Sequence, residues 1–370
     1  MKKEKLKSLI IFFFKIRKIF SLPVKKDIII YQNINSHIFK TYFFKDDVTI
    51  LDKNINLNIP VLIISFLKCA ILKSWVPYYQ TFIKLSKAKC VITFLYNDPD
   101  FYFLKKNNDE VYISIQNGIL IGDQSWIKID CKYIVDYNLC FGSHEKKQLE
   151  QLIESKFISI GSFKNNLYSI NPKVKKNNYI TFISQFKPNR AIKNFFEVEN
   201  EIIPFLDKFC NENDYMLRIC GASIDYADEE NFFYSNLIKS NYIFLPRIND
   251  RSSYQYIDES EINISIDSTL GLESLARGHK TGFFMVREKK LNLLNWSINF
   301  TTDSSIKSGL FWCFNDHVEE YERILSYLTG IDSKTWKKQN SELISKIIVH
   351  NYNNSILRNI LYKHNISHKK

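Results

Sequence analysis

The sequence has seven cysteines and seven histidines, yet no CxxC or HxH pair, and its single HxxxH, His364 to His368, stands apart from the other five histidines. Neither a zinc site nor a paired-thiol redox centre has its usual ligand spacing. The cysteine count is odd and most of the seven lie in apolar runs, which reads as reduced, buried thiols of a cytosolic protein and not as a disulfide framework. No short-period repeat is present, which sets a solenoid aside. Basic residues are not spread over the chain as a nucleic-acid-binding face would require. Residues 1–26 carry nine Lys and Arg against Glu4 alone, +8 of the net +12, and the other 344 residues are only mildly basic.

That basic stretch interleaves its charge with Leu9–Phe14, Ile16, Ile19 and Phe20. It is too short and too charged to span a bilayer, and Ser21-Leu22-Pro23 is followed by more lysines where a signal peptide would be cleaved. A basic amphipathic helix over residues 1–24, lying on an anionic membrane surface, is expected; a disordered tail or a helix packed on the domain is the alternative. Beyond it, 45% hydrophobic and 24% charged residues suit a globular chain, and 370 residues allow two domains.

Short apolar strands alternate with helical stretches throughout. Strands are expected at 27–31, 48–51, 89–96, 111–116, within 131–140 and at 157–160. Residues 60–75 read as a strand entering a helix, 78–86 as a helix and 145–155 as a helix. The second half restarts the pattern, with strands at 179–184, 215–220, 242–244, 262–266 and 280–286 and helices between them. The division expected is a basic N-terminal segment over 1–26, a Rossmann-like domain over 27–165, a linker over 166–178, a second Rossmann-like domain over 179–345, and a C-terminal helix and basic tail over 346–370. The fold class is α/β: two doubly wound domains with a cleft between them.

In such sheets ligands bind beyond the carboxyl ends of the strands. The polar clusters there are Ser184–Lys187, Gly221–Ser223, Arg247 and Asp267-Ser268-Thr269 in the second half, and Asn97–Asp100, Gln116–Gly118 and Gly142–His144 in the first. Asp267-Ser268-Thr269 stands between a strand and a short helix that Gly278 can close. Ser268 and Thr269 at that helix N-terminus suit a phosphate, with Asp267 as the cap. Glu273 is one turn along, where a carboxylate can accept from two ribose hydroxyls; pairing with Arg277 at i+4 is the plainer reading.

The stretch IDSTLGLESLARGHKTGFF resembles the nucleotide-binding signature of GT-B glycosyltransferases of bacterial surface-carbohydrate (lipopolysaccharide and capsule) biosynthesis. VITFLYNDPDFY, ISIQNG, FGSHEKKQLE and ISIGSFKNN follow the order of that group, and the resemblance covers roughly residues 60–290. Wider similarity extends to enzymes using UDP- or CMP-activated sugars and to polyol-phosphate transferases of wall polymers. It implies two Rossmann-like domains, a nucleotide-sugar donor held mainly by the second, a glycan or lipid-linked acceptor held by the first, and no metal or other cofactor; Asp98-Pro99-Asp100 is therefore not read as a metal motif. On that reading Lys187 and Arg247 supply charge and Gly221 backbone to the phosphates. Asp98, then Asp100, then His144 are candidates for the general base or nucleophile, and Asn117-Gly118 is the acceptor-side turn. The enzyme would sit at the cytoplasmic face of the plasma membrane. The alternatives are a sugar-nucleotide epimerase of the same fold and a non-catalytic binding or scaffold protein. No nucleic-acid partner is expected.

Overall fold

A computed structural model describes residues 16–105, 109–118, 131–170, 177–188, 192, 194–293, 298, 300, 301 and 306–369. The first sheet is built from strands β2 (Ile28–Tyr31), β3 (Val48–Leu51), β5 (Cys90–Thr93), β6 (Val111–Ile115), β7 (Tyr133–Cys140) and β8 (Ile153–Ser159), all parallel, in the order β3-β2-β5-β6-β7-β8. Its faces separate by the two-residue period of a strand. Ile29, Tyr31, Val91 and Tyr112 pack to one side with Tyr78 and Tyr79. Ile28, Ile30, Ile92 and Ile113 pack to the other. That second face is closed by Leu357, Ile360 and Leu361 of the helix Ser355–Lys363, so the chain's last helix returns to the first sheet.

The second sheet contains β9 (Asn177–Ile183), β10 (Met216–Cys220), β11 (Tyr242–Leu245), β12 (Ser260–Ser265), β13 (Lys280–Phe284), β14 (Ser308–Gly309) and β15 (Trp312–Cys313). The order β11-β10-β9-β12-β13-β15-β14 is parallel except for the last pair. It is the Rossmann order: the chain winds outward from β9 through β10 to β11, then reverses to β12 and β13. The reversal leaves a crevice between the carboxyl ends of β9 and β12. Those ends carry Ser184–Lys187 and Asp267–Thr269.

Four local expectations are corrected. Residues 59–72 form one helix from the start, because Pro60 sits in its first turn, where a missing N–H costs nothing, and Asn58 caps it by accepting from Val61 N. The helix expected over 145–155 ends at Leu149, and β8 begins at Ile153 as an edge strand whose outward residues are polar. The helix expected over 253–260 before β12 stops at Asp258, and Ser260 already belongs to the strand. Within the expected basic amphipathic helix, Arg17–Ile19 is a strand, β1, paired in parallel with β4 (Asn56–Asn58); residues 1–15 lie outside the described residues. Gly278, at φ +81°, closes the helix Thr269–Ala276 as expected. The seven cysteines are free thiols, five of them buried.

Candidate functional site

The crevice at the β9/β12 reversal opens into a cavity of about 490 Å³. Ser184–Lys187, Gly221–Ser223, Arg247, Ser268, Thr269 and Glu273 line it from the second sheet, and Ile38 and Lys164 from the first. The cavity therefore joins the two halves. The halves also meet directly at its edge. His37 Nε2 lies 2.8 Å from Asp250, which accepts from Arg247 at 2.9 Å. A Cβ on Gly118 would stand 3.3 Å from Thr269 Oγ1, so this glycine admits a side chain of the other half where substrate access was expected.

Ser268, not Asp267, caps the helix Thr269–Ala276: its Oγ accepts from Leu270 N at 3.3 Å. Asp267 instead accepts from the fully buried Arg287. The same guanidinium donates to Glu199 Oε1 at 2.7 Å, to Gln185 Oε1 at 2.9 Å and to Phe195 O at 3.2 Å. The two carboxylates hold Arg287 in its charged form against the burial that would weaken it. Arg287 thereby ties the β12 turn to the β9 loop, and both loops line the cavity. Nothing local in D-S-T marks this, because the partner stands twenty residues on.

Glu273 is 3% exposed. Its Oε2 accepts from Tyr254 OH at 3.0 Å and its Oε1 from Ser162 Oγ. Burial pushes its carboxyl upward, opposed first by Lys164. Among the described residues each oxygen thus carries one hydrogen bond and keeps one lone pair. The alternative reading, an i+4 pair with Arg277, does not form: Arg277 donates to Asp258 Oδ1 at 2.7 Å and to Asn165 Oδ1 at 3.0 Å.

Lys187 stands exposed at the cavity mouth. Arg247 lines it, shares its charge with Asp250, and has a buried Nε with no hydrogen-bond partner among the described residues. Gly221 also lines it, but the phosphate cradle expected there is filled. Ala222 N and Ser223 N donate to the buried Glu230 carboxylate, at 3.0 Å and 3.5 Å. A second anion at those amides would meet that charge. Lys164 was missed; it is half-buried, faces Glu273, and has no ion-pair partner among the described residues.

The first-half candidates do not line this cavity. Asp98 caps the helix Pro99–Tyr102 through Asp100 N at 3.0 Å. It also accepts from Tyr31 OH at 2.9 Å and Gln32 Nε2 at 2.5 Å. These contacts sit at the β2/β5 reversal of the first sheet, the corresponding crevice of that half. Asp100 is in the same turn. Asn117 accepts from Asn35 Nδ2 at 3.4 Å, and Gly118 O accepts from Tyr96 OH at 3.1 Å. His144 stands in the first turn of the helix Ser143–Leu149, which packs on Ser333–Ile347. Among the described residues no group of three or more His, Cys, Asp or Glu is placed to hold a metal ion.

Beside His144, burial holds the Glu145 carboxyl up at about 7, against the ordinary 4.5. The folded chain binds that proton more tightly than the unfolded chain. The stability it contributes is complete below pH 4.5 and is lost as the pH rises through about 7. Glu145→Gln is therefore expected to raise the melting temperature over wild type at about pH 8 and to change it little at about pH 4. Scanning calorimetry at the two values checks this; an unchanged difference between them contradicts it.

Residues 113–365 match the model of a family described as "putative O-antigen biosynthesis protein". Among solved structures, the chain is similar to a glycosyltransferase from Rickettsia africae ESF-5, at 12% identity and a TM-score of 0.50, over 92% of this chain and 98% of that one. It is also similar to the wall teichoic acid polymerase TagF, at 15% identity and a TM-score of 0.49, over 92% of this chain and 89% of that one. At such identities the likeness to the Rickettsia enzyme is one of fold: two Rossmann-like domains of the GT-B type. No curated protein sequence matches the chain.

Proposed function

The chain belongs to this family of O-antigen biosynthesis proteins, and from that premise we propose that it is a glycosyltransferase of GT-B type. It transfers a sugar from a nucleotide-activated donor, UDP- or CMP-linked, to a growing surface glycan or a lipid-linked acceptor at the cytoplasmic face of the membrane. The observation that carries this reading is the cavity at the β9/β12 reversal, which combines a helix N-terminus with Lys164, Lys187 and Arg247. The positive end of the helix Thr269–Ala276 and three cations suit the donor's phosphate as it leaves. In this role the protein's own cations do what a metal would do, and no metal is invoked. The nucleoside lies toward Glu273, whose remaining lone pairs accept from ribose hydroxyls.

The acceptor approaches from the first domain. Asp98 is retained as the proposed base there, with Asp100, in the same turn, second and His144 third. Its three hydrogen bonds hold the carboxylate in one orientation. A base so held still has a free lone pair for an incoming hydroxyl. The basic residues of 1–26 would hold the protein near an anionic membrane carrying a lipid-linked acceptor.

The test is release of free nucleotide from a panel of UDP-, CMP-, GDP- and dTDP-sugars, with and without lipid extract as acceptor. One donor class is expected to be consumed, and Asp98→Ala is expected to keep nucleotide binding while losing transfer. Consumption of no donor, with and without acceptor, would count against the enzyme reading; full transfer by Asp98→Ala would remove that residue from the mechanism.

A further inference from the structure

The helix Ile59–Leu72 is built the wrong way round for a soluble protein. Of its fourteen residues only Val61 and Ser65 are buried, and Ser65 turns its hydroxyl back onto Val61 O at 2.8 Å. Meanwhile Ile63, Ile64, Phe66, Leu67, Ile71 and Leu72 are each 59–70% exposed. Elsewhere the chain follows the usual rule: the helix Val318–Gly330 buries Tyr321, Ile324, Leu325 and Leu328 and turns its charge outward. One apolar residue in solvent needs no explanation, but six on one short helix form a patch of the kind that marks an interaction surface.

Two further observations identify what covers it. From Lys53 to Asn97 the chain has six lysines and no acidic residue. Lys68 projects from the helix itself, Lys73 ends it, and Lys68, Lys84 and Lys87 line one groove beside it, with Asp109 and Glu110 also on that groove. The apolar face is therefore flanked by cations. Second, the patch continues onto the neighbouring segment. β1 pairs with β4 immediately before the helix, Asn58 Nδ2 donates to Ser21 O at 2.9 Å, and Phe20, Leu22 and Val24 are exposed there.

We propose that the helix Ile59–Leu72 is a membrane-docking element that lies in the plane of an anionic bilayer, its six apolar side chains among the acyl chains and its lysines at the phosphates. The geometry excludes a span: fourteen residues reach about 21 Å, against a hydrocarbon core of roughly 30 Å. A short helix with an apolar face and flanking lysines matches the requirements of interfacial binding. The helix leads into Trp75, Tyr78 and Tyr79, and Tyr79 packs at 5.2 Å on Tyr31, which donates to Asp98. Docking there would bring the first-domain crevice to the membrane surface. The inference shares only the membrane setting with the proposed function: vesicle binding can fail while transfer to a soluble acceptor stands, and the reverse.

Flotation of the full-length protein with vesicles tests it, using phosphatidylcholine alone and mixed with phosphatidylglycerol. Wild type is expected to float with the mixed vesicles and far less with phosphatidylcholine alone. The triple variant Ile64→Glu, Leu67→Glu, Ile71→Glu is expected to lose at least about tenfold in binding and to keep its melting temperature, because these side chains face outward. A second variant, Lys2, Lys3, Lys5 and Lys7→Gln, is expected to retain a measurable part of the binding. Three results would overturn the proposal. One is wild-type binding by the triple variant. Another is loss confined to the lysine variant, which would place binding in the N-terminal residues. The last is wild type that ignores vesicles and self-associates through this face.

Discussion

Replacing Arg287 by methionine is expected to destabilise the protein by about 3–5 kcal/mol, the usual cost of removing one partner from a buried charge cluster. Arg287 is fully buried between Asp267 and Glu199. Without it two carboxylates share a dry site with no counter-charge. Burial already pushes Glu199 up to about 7 with Arg287 in place. The variant should take up protons there, and its deficit should shrink at acid pH. The triple change Arg287→Met, Glu199→Gln, Asp267→Asn should recover much of the loss, since it removes the stranded charge as well as the pair. Chemical denaturation measures both. A single variant as stable as wild type would show that the cluster does not hold the two cavity loops together. Because Asp267 precedes Ser268, the single variant should also weaken nucleotide binding before it unfolds.

The second large effect concerns Lys164. On the proposed function, Lys164→Ala should reduce sugar transfer by about 10²–10³-fold, the cost typical of removing one preorganised donor from a developing charge. Among the described residues it is the one cation that the first domain brings to the cavity wall. It also opposes the burial that pushes Glu273 upward. Its removal should therefore favour the neutral form of that carboxyl and weaken the ribose contact. Lys164→Arg, which keeps the charge, should restore part of the rate. The half-buried side chain closes no part of either core, so the melting temperature should barely move. A steady-state comparison of the three proteins decides it: equal rates would remove Lys164 from the site.

The architecture was legible because both sheets are built from short apolar runs that end in polar clusters, and the wound order follows from alternation of strand and helix. The cavity residues legible in the same way are those at strand ends: Lys187 after β9, Arg247 after β11, Ser268 and Thr269 after β12. What local reading missed is what the fold brings from a distance. Ser162 meets Glu273 across 111 positions, and Lys164 lies in an Asn- and Lys-rich stretch that read as the approach to a linker. Asp267 read as a cap because D-S-T before a helix looks like one; a buried arginine that recruits it leaves no trace in the three residues. Gly221 read as a phosphate cradle because the glutamate that fills it comes nine residues later, on the helix Ala227–Ser235. The helix Ile59–Leu72 lies in a run that read as a strand entering a helix, and an apolar run carries no sign of which way it faces.

Hydrogen–deuterium exchange under millimolar UDP, CMP, GDP and dTDP, each in turn, tests the central claim most directly, since it reports where a nucleotide sits as well as whether it binds. The account predicts that one of them protects amides of the β9 loop from Ser184 to Lys187, of the turn from Asp267 to Gly271, and of the loop carrying Lys164, and that Lys164→Ala weakens this protection. No protection by any nucleotide, or protection confined to other parts of the chain, would contradict it.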